Sequence, residues 1–181
     1  EFYQCDADVV GSRSLLYEVE FIQLYDKVFS ELKIPTVIKL NNRKVLSGIA
    51  EIIGAEDKLI DMTVAIDKLD KIGLDLVKEE MLQKGISDSA IKKIEPILIM
   101  EGDAIKKIAT MRSVLASSDI GIEGIDEVQT VINKVLNLGL ESADLDFDLT
   151  LARGLNYYTG SIFEVEAKGV KMGSIGGGGR Y

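Results

Sequence analysis

The sequence contains no histidine and a single cysteine, Cys5, and these scarcities limit the chemistry it can perform. Without histidine there is no imidazole base, no Ser-His-Asp triad and no imidazole metal ligand, so we expect no metal held by the protein itself. One cysteine excludes an internal disulfide framework and fits a reducing compartment. We expect Cys5 in the core, because it falls on the apolar face of a predicted strand.

Positive charge is also scarce. The chain has 21 Lys and Arg against 30 Asp and Glu, which gives a formal net charge of −9. A broad RNA-binding surface needs clustered basic residues, so we do not expect one here. No apolar run approaches the roughly 18 residues of a membrane helix, and no signal-type segment is visible. We therefore expect no membrane contact and a cytoplasmic location.

The 181 residues suffice for one hydrophobic core, with or without a small satellite domain. Alternation of polar and apolar residues predicts strands, and from Ala55 onward a long stretch shows helical periodicity with no strand. We predict an α+β protein in which a mainly antiparallel sheet is flanked by helices and an all-helical domain is inserted. The predicted units are 1–54, 55–118 and 119–181, and the predicted strands are 1–10, 36–40, 144–151 and 162–167.

Glycines, prolines and capping residues place the helices between these strands. The first helix is predicted to start at Ser12 or Ser14 and to end near Leu32, with Phe21, Tyr25, Val28 and Leu32 on its buried face. A turn at 159–160 predicts that the strands on either side of it form an antiparallel pair. The remaining predicted helices are 43–53, 57–71, 74–83, 87–100, 103–117 and 125–138.

Residues 151–160 place one cation, two tyrosines and two glycines directly after a predicted strand. Arg153 is always protonated and is suited to hold a carboxylate or a phosphate oxygen bidentately. A surface ion pair of Arg153 with Asp148 or Glu164 is the competing interpretation. An anionic ligand is the first functional inference from this segment.

Other residues near the predicted strands have both a binding and a structural interpretation. Gln4 and Asp8 could bind an ammonium or an N–H group, or could simply be solvated. Tyr157 and Tyr158 could bind a ligand or only pack. The glycines 176–179 could be a flexible linker or an anion-binding nest, and they match neither the P-loop nor the GxGxxG pattern.

Three segments resemble the histidyl-tRNA synthetases, which are class II enzymes. EFYQCDADVVG (1–11) resembles the second half of class II motif 2, whereas LARGLNYYTG (151–160) and SIGGGGRY (174–181) resemble the histidine-specific motifs of the family. Together with KLNNR (39–43) and DKLDKIG (67–73), they cover most of the chain. The resemblance implies a partial class II catalytic core that lacks motif 1, the front of motif 2, motif 3 and the anticodon-binding domain.

The resemblance also implies an activity. A histidine–tRNA ligase activates histidine with ATP, with Mg²⁺ balancing the phosphate charge, and transfers it to tRNA(His). The full-length parent would be a homodimer, and 55–118 would be the insertion that clamps the tRNA acceptor stem in some members. The fragment alone would be inactive. The alternatives are a regulatory paralogue that binds histidine or tRNA without catalysis, and a protein-interaction or supporting role for 55–118.

Site residues follow from the same motif match. Arg153 would be the catalytic residue, contacting the histidine carboxylate and the α-phosphate of ATP. Tyr158 and Asp8 would hold the two imidazole nitrogens, and Gln4 would contact the amino group. The residues that the resemblance assigns to histidine are Gln4, Asp8, Arg153, Tyr157, Tyr158, Gly176 and Gly177.

Overall fold

The structure is a computed structural model that describes residues 4–152 and 157–181. It has eight α-helices and four strands in this described part, with a short 3₁₀ turn at Glu56–Lys58. The elements in chain order are α1 Leu16–Glu31, β1 Thr36–Asn42, α2 Arg43–Ile53, α3 Leu59–Ile66, α4 Leu69–Ile72, α5 Leu74–Gln83, α6 Asp88–Leu98, α7 Ala104–Val114, α8 Asp119–Leu138, β2 Asp144–Phe147, β3 Ser161–Ala167 and β4 Gly176–Gly179.

The four strands form one sheet in the order β2-β1-β3-β4. β1 runs parallel to β2 and antiparallel to β3, and β3 runs antiparallel to β4. Leu40 of β1 lies opposite both Phe147 and Phe163, so the centre of the sheet is apolar. The predicted α+β class with a mainly antiparallel sheet is confirmed, because two of the three strand pairings are antiparallel.

The predicted hairpin around residues 159–160 is wrong, since the two strands lie on opposite sides of β1. After β2 the chain passes the end of β1, where the Asn41 side chain donates a hydrogen bond to the Leu151 carbonyl at 2.9 Å. The Gly160 carbonyl then accepts from the backbone N–H of Arg43 at 2.8 Å. The turn is thus bonded to the start of α2, and β1 separates the strands that a two-residue hairpin would have paired.

The prediction of a strand at 144–151 is correct about which side of the segment is buried, but the predicted strand is too long. β2 ends at Phe147, and the Asp148 carboxylate accepts from both the backbone N–H and the hydroxyl of Thr150, at 2.8 and 2.6 Å. Such a local turn replaces ladder hydrogen bonds. Leu149 and Leu151 remain buried, so the alternation still marks the apolar side of the segment.

The predicted first strand is also corrected. Residues 4–10 form no strand and are exposed, and Cys5 lies at the surface instead of in the core. A segment with alternating polar and apolar residues buries its apolar face only when it pairs with a sheet. None of the four described strands pairs with residues 4–10.

Helix α1 buries a different face from the one predicted. Val28 and Leu32, expected in the core, are 43% and 59% exposed. The buried side carries two carboxylates, Glu18 and Asp26, because each has internal partners described below. A hydropathy pattern counts such carboxylates as solvent-facing, and this caused the error. The helix starts at Leu16, and Ser14 accepts a hydrogen bond from the Leu16 N–H without capping the helix.

The helical region follows the predicted order with changed boundaries. The predicted helix 57–71 divides into the 3₁₀ turn, α3 and α4. The predicted cap Ser87 is confirmed, since its hydroxyl accepts from the Ala90 N–H at 3.2 Å. Helix α8 begins earlier than predicted because Ser118 accepts from the Gly121 N–H and caps it there.

Residues 55–118 contain helices and no strand, as expected, but they pack into the same hydrophobic core as the sheet. The domain boundaries therefore stay a prediction. No helix in the described ranges is long and apolar enough to cross a membrane. Fully buried members of the common core include Leu40, Met62, Met81, Ile94, Met111 and Phe147.

Candidate functional site

Three segments that are distant in sequence come together around β4. They are residues 8–18, residues 157–161, and residues 176–181, which include β4 itself. The Thr159 N–H donates to the Arg180 carbonyl at 2.7 Å, and the Arg180 N–H donates to the Ser161 carbonyl at 2.8 Å. We call this region the β4 site. Of the residues predicted to bind histidine, Asp8, Tyr157, Tyr158, Gly176 and Gly177 lie on these segments.

The two adjacent tyrosines have different environments. Tyr158 is 7% exposed and Tyr157 is 56% exposed. Their hydroxyl oxygens lie 3.3 Å apart and their ring centroids 4.5 Å apart at an interplanar angle of 53°. Tyr158 is therefore a fixed side chain with its hydroxyl directed towards the more exposed Tyr157, and each phenol can donate or accept a hydrogen bond.

The glycine run is a strand, so the linker interpretation is wrong. Gly176 lies opposite Val165, and Gly179 lies opposite Ile162. A Cβ atom on Gly179 would be 2.7 Å from the Ser161 carbonyl oxygen and 2.7 Å from a ring carbon of Tyr158. At Gly179 a side chain is thus excluded by close packing against the protein itself.

Asp8 and Gln4 are both exposed. The Tyr181 hydroxyl lies 2.8 Å from each carboxylate oxygen of Asp8. This hydrogen bond, followed by burial and the negative charge, raises the pKa of Tyr181 above its ordinary value. Tyr181 was missed from the sequence because nothing local links it to a residue near the other end of the chain.

Arg153 lies outside the described residues, so its place and its partners stay a prediction. The chain before it is well anchored through Leu151, which is buried and bonded to Asn41. Asp148, one of the candidate ion-pair partners of Arg153, has its carboxylate 3.3 Å from Lys39 Nζ. Lys39 also bonds to Glu166 at 2.9 Å. Burial alone would lower the pKa of Lys39, but Glu166 and Asp148 outweigh it and raise the pKa.

The strongest ion pair of the β4 site was also missed from the sequence. Arg180 Nε lies 2.5 Å from Glu18 Oε1, and Arg180 Nη2 lies 2.7 Å from Glu18 Oε2. The Glu18 side chain is only 4% exposed. The bond to Glu18 raises the pKa of Arg180, although burial works against it. This bidentate geometry fixes both side chains.

Within the described ranges, no three or more Cys, Asp or Glu side chains are grouped so that they could hold a metal ion.

Comparison with known proteins decides the family. The family model described as histidyl-tRNA synthetase matches residues 1–181. The chain belongs to the histidyl-tRNA synthetase family. The histidine–tRNA ligase of Flavobacterium johnsoniae is 61% identical to it over 183 aligned residues, which cover 100% of this chain and 38% of that protein. The chain thus spans roughly two fifths of the length of the curated relatives that it matches.

Solved structures agree with this family. The crystal structure of histidyl-tRNA synthetase from Nostoc sp. PCC 7120 is similar with a TM-score of 0.88 and 34% identity, over 94% of this chain and 41% of that one. A structure from Bacillus halodurans C, described as an ATP phosphoribosyltransferase regulatory subunit/histidyl-tRNA synthetase, has a TM-score of 0.76 and 17% identity, over 94% and 44%. The latter shows the fold alone. The class II synthetase fold expected from the motifs is confirmed.

Proposed function

We propose that this chain is part of a histidine–tRNA ligase, which activates histidine with ATP to histidyl-adenylate and transfers it to tRNA(His). The observation that carries the proposal is the 61% identity over the whole chain to a histidine–tRNA ligase. The meeting of the motif segments at the β4 site supports it. The chain alone is proposed to be inactive, because it covers only about 40% of such relatives.

Arg153 is the proposed catalytic residue. Its guanidinium would contact the histidine carboxylate and the α-phosphate of ATP, and would supply fixed positive charge where negative charge develops in the transition state. The anchoring of Leu151, two residues earlier, supports this role because fixed charge must be positioned before reaction.

The histidine pocket is proposed to use both rigid and exposed groups of the β4 site. Tyr158 and Asp8 would hold the two imidazole nitrogens, Gln4 the amino group, and Tyr157 a further polar contact. Burial of Tyr158 supports its role, since a polar group left unpaired in such a pocket rejects isosteres that lack the matching group. Gly176 and Gly177 are proposed to lie beside the ligand by the motif match, and their place in β4, the strand whose Gly179 packs against Tyr158, supports this.

The remaining partners are proposed from the family. ATP would bring Mg²⁺ on its phosphates, where the ion balances their negative charge. The complete protein would be a cytoplasmic homodimer, and 55–118 would be the insertion domain that contacts tRNA. This contact would be narrow, because lysines such as Lys92 and Lys106 pair with acidic neighbours on their own helices.

The test is histidine-dependent ATP–pyrophosphate exchange by the complete protein. Arg153→Ala should reduce the exchange rate by at least about 10²-fold, the loss typical of removing one group that stabilises transition-state charge. Arg112→Ala is the matched control, because Arg112 pairs with Asp126 and lies on none of the three segments of the β4 site. Unchanged exchange in Arg153→Ala would refute the role of Arg153. A folded protein that binds histidine without exchange would instead be a regulatory paralogue, a class with the same fold.

A further inference from the structure

Arg180 connects all three segments of the β4 site. Its backbone pairs with Thr159 and Ser161, which follow the two tyrosines. Its side chain reaches the start of α1, where it bonds to Glu18 and to the Ser14 carbonyl at 2.9 Å. The segment that carries Asp8 is therefore held near the tyrosines through Arg180, and through the hydrogen bond from the next residue, Tyr181, to Asp8.

The side chain is occupied by these contacts. Nε and Nη2 donate to the two Glu18 oxygens, Nη2 also donates to the Ser14 carbonyl, and Nη1 has a long contact of 3.5 Å with the Ser12 carbonyl. Glu18 neutralises the positive charge. Glu18 and the Ser14 carbonyl hold Nε and Nη2, and this bidentate pairing supports a positional role over phosphate binding.

The aliphatic part of Arg180 makes the third connection. A Cβ atom on Gly160 would lie 3.0 Å from Arg180 Cδ, so the side chain passes closely over the turn at Gly160. The same turn bonds through the Gly160 carbonyl to Arg43 at the start of α2. Movement of Arg180 would therefore shift the turn that follows Tyr158.

We propose that Arg180, through its ion pair with Glu18, is a positioning residue that sets the geometry of the histidine pocket between Asp8 and Tyr158. This inference rests on the proposed function. Arg180 controls histidine affinity and leaves ATP binding and the chemical step almost unchanged, because it orients pocket residues and touches neither substrate.

The double variant Glu18→Gln/Arg180→Met is the sharpest test, since removal of both partners leaves no buried charge unpaired. In pyrophosphate exchange by the complete protein we expect the histidine KM to rise by at least about tenfold, which corresponds to about 1.4 kcal/mol. The KM for ATP and kcat should change little. Arg180→Lys should recover part of the affinity, because lysine keeps the charge but not the bidentate geometry.

Arg112→Met is the control, since it breaks another arginine–carboxylate pair, with Asp126, that involves none of the three segments of the β4 site. Binding of radiolabelled histidine, measured by equilibrium dialysis with the same variants, gives a readout independent of turnover. An active parent whose histidine KM and affinity are unchanged in the double variant overturns the inference and leaves the proposed function intact. A rise in the ATP KM alone also overturns it, as it would indicate an anion ligand. A parent that neither exchanges nor binds histidine overturns both proposals.

Discussion

Lys107 Nζ lies 2.9 Å from Asp146 Oδ1 and 3.0 Å from the Phe147 carbonyl oxygen. Helix α7 is thereby bonded to the end of β2, the strand that leads towards Arg153. The Lys107 side chain is only 12% exposed, so water cannot easily replace these hydrogen bonds. Helix α7 thus supports the sheet at this point.

Lys107→Met should lower the free energy of unfolding by about 1–3 kcal/mol, because the Phe147 carbonyl and Asp146 lose a charged donor. Lys106→Met is a control at the neighbouring position, since Lys106 is 77% exposed and pairs with Asp103, the N-cap of the same helix. It should leave stability nearly unchanged. Urea denaturation of the complete protein measures both, and equal effects of the two variants would contradict the supporting role.

The buried carboxylate of Asp26 makes the stability of the α1 region depend on pH. Asp26 accepts hydrogen bonds from three consecutive backbone N–H groups, those of Glu141, Ser142 and Ala143. Burial alone would raise the pKa of Asp26, but the bonds from these groups outweigh it and hold the pKa below its usual range. The folded protein thus favours the ionised form.

Because the folded pKa is depressed, this stabilisation is fully present above the unfolded pKa of about 4 and is lost as pH falls through the folded value. Asp26→Asn should lower the free energy of unfolding by about 1–3 kcal/mol at neutral pH. The difference from the parent should shrink on acidification. Asp75→Asn, on an exposed side chain, should show neither effect. If the difference in free energy of unfolding between the parent and Asp26→Asn stays constant down to acid pH, the role assigned to the Asp26 charge is contradicted.

Local signals in the sequence were enough to predict most helices, because their caps act within a few residues. Ser87 and the polar stop before Arg43 are examples, and each was placed correctly. Periodicity placed β1 and β3, and the resemblance of the short motifs implied the class II fold. The family, and with it the site residues, came from short motifs and not from composition.

The errors arose where distant residues decide the outcome. The order of the strands depends on β1 lying between β2 and β3, which no turn signal encodes. The buried face of α1 depends on Glu18 and Asp26, whose partners are more than a hundred residues away. The burial of a paired carboxylate cannot be predicted without its partner.

Tyr181 and Asp8 provide a spectroscopic test of the β4 site. The hydrogen bond to Asp8 raises the pKa of Tyr181, so Asp8→Asn should lower that pKa towards its ordinary value. NMR titration of ring-labelled tyrosine in the complete protein measures this, with Tyr181→Phe identifying the signal. Asp6→Asn, also exposed in the same segment, should leave the titration unchanged. A Tyr181 pKa that is the same in the parent and in Asp8→Asn would contradict this contact.

The packing of β4 against the tyrosine turn makes Gly179 sensitive to a single methyl group. In Gly179→Ala the new Cβ would lie 2.7 Å from the Ser161 carbonyl oxygen and against the Tyr158 ring. A backbone oxygen cannot move aside as a flexible side chain can, so we expect a loss of about 1–3 kcal/mol in stability, as for other overpacked sites. Histidine affinity should fall with it, because Tyr158 must shift.

Gly173→Ala is the matched control, since a Cβ atom there has no neighbour within 4 Å. Thermal unfolding and histidine binding, measured for both variants in the complete protein, compare the effect of the added methyl group at the two positions. If Gly179→Ala matches Gly173→Ala in both measurements, the close contact of β4 with Tyr158 and Ser161 is wrong. If it loses histidine affinity while Gly173→Ala does not, the glycine is needed for the space it leaves and not for chain flexibility, because Gly179 pairs within a regular strand.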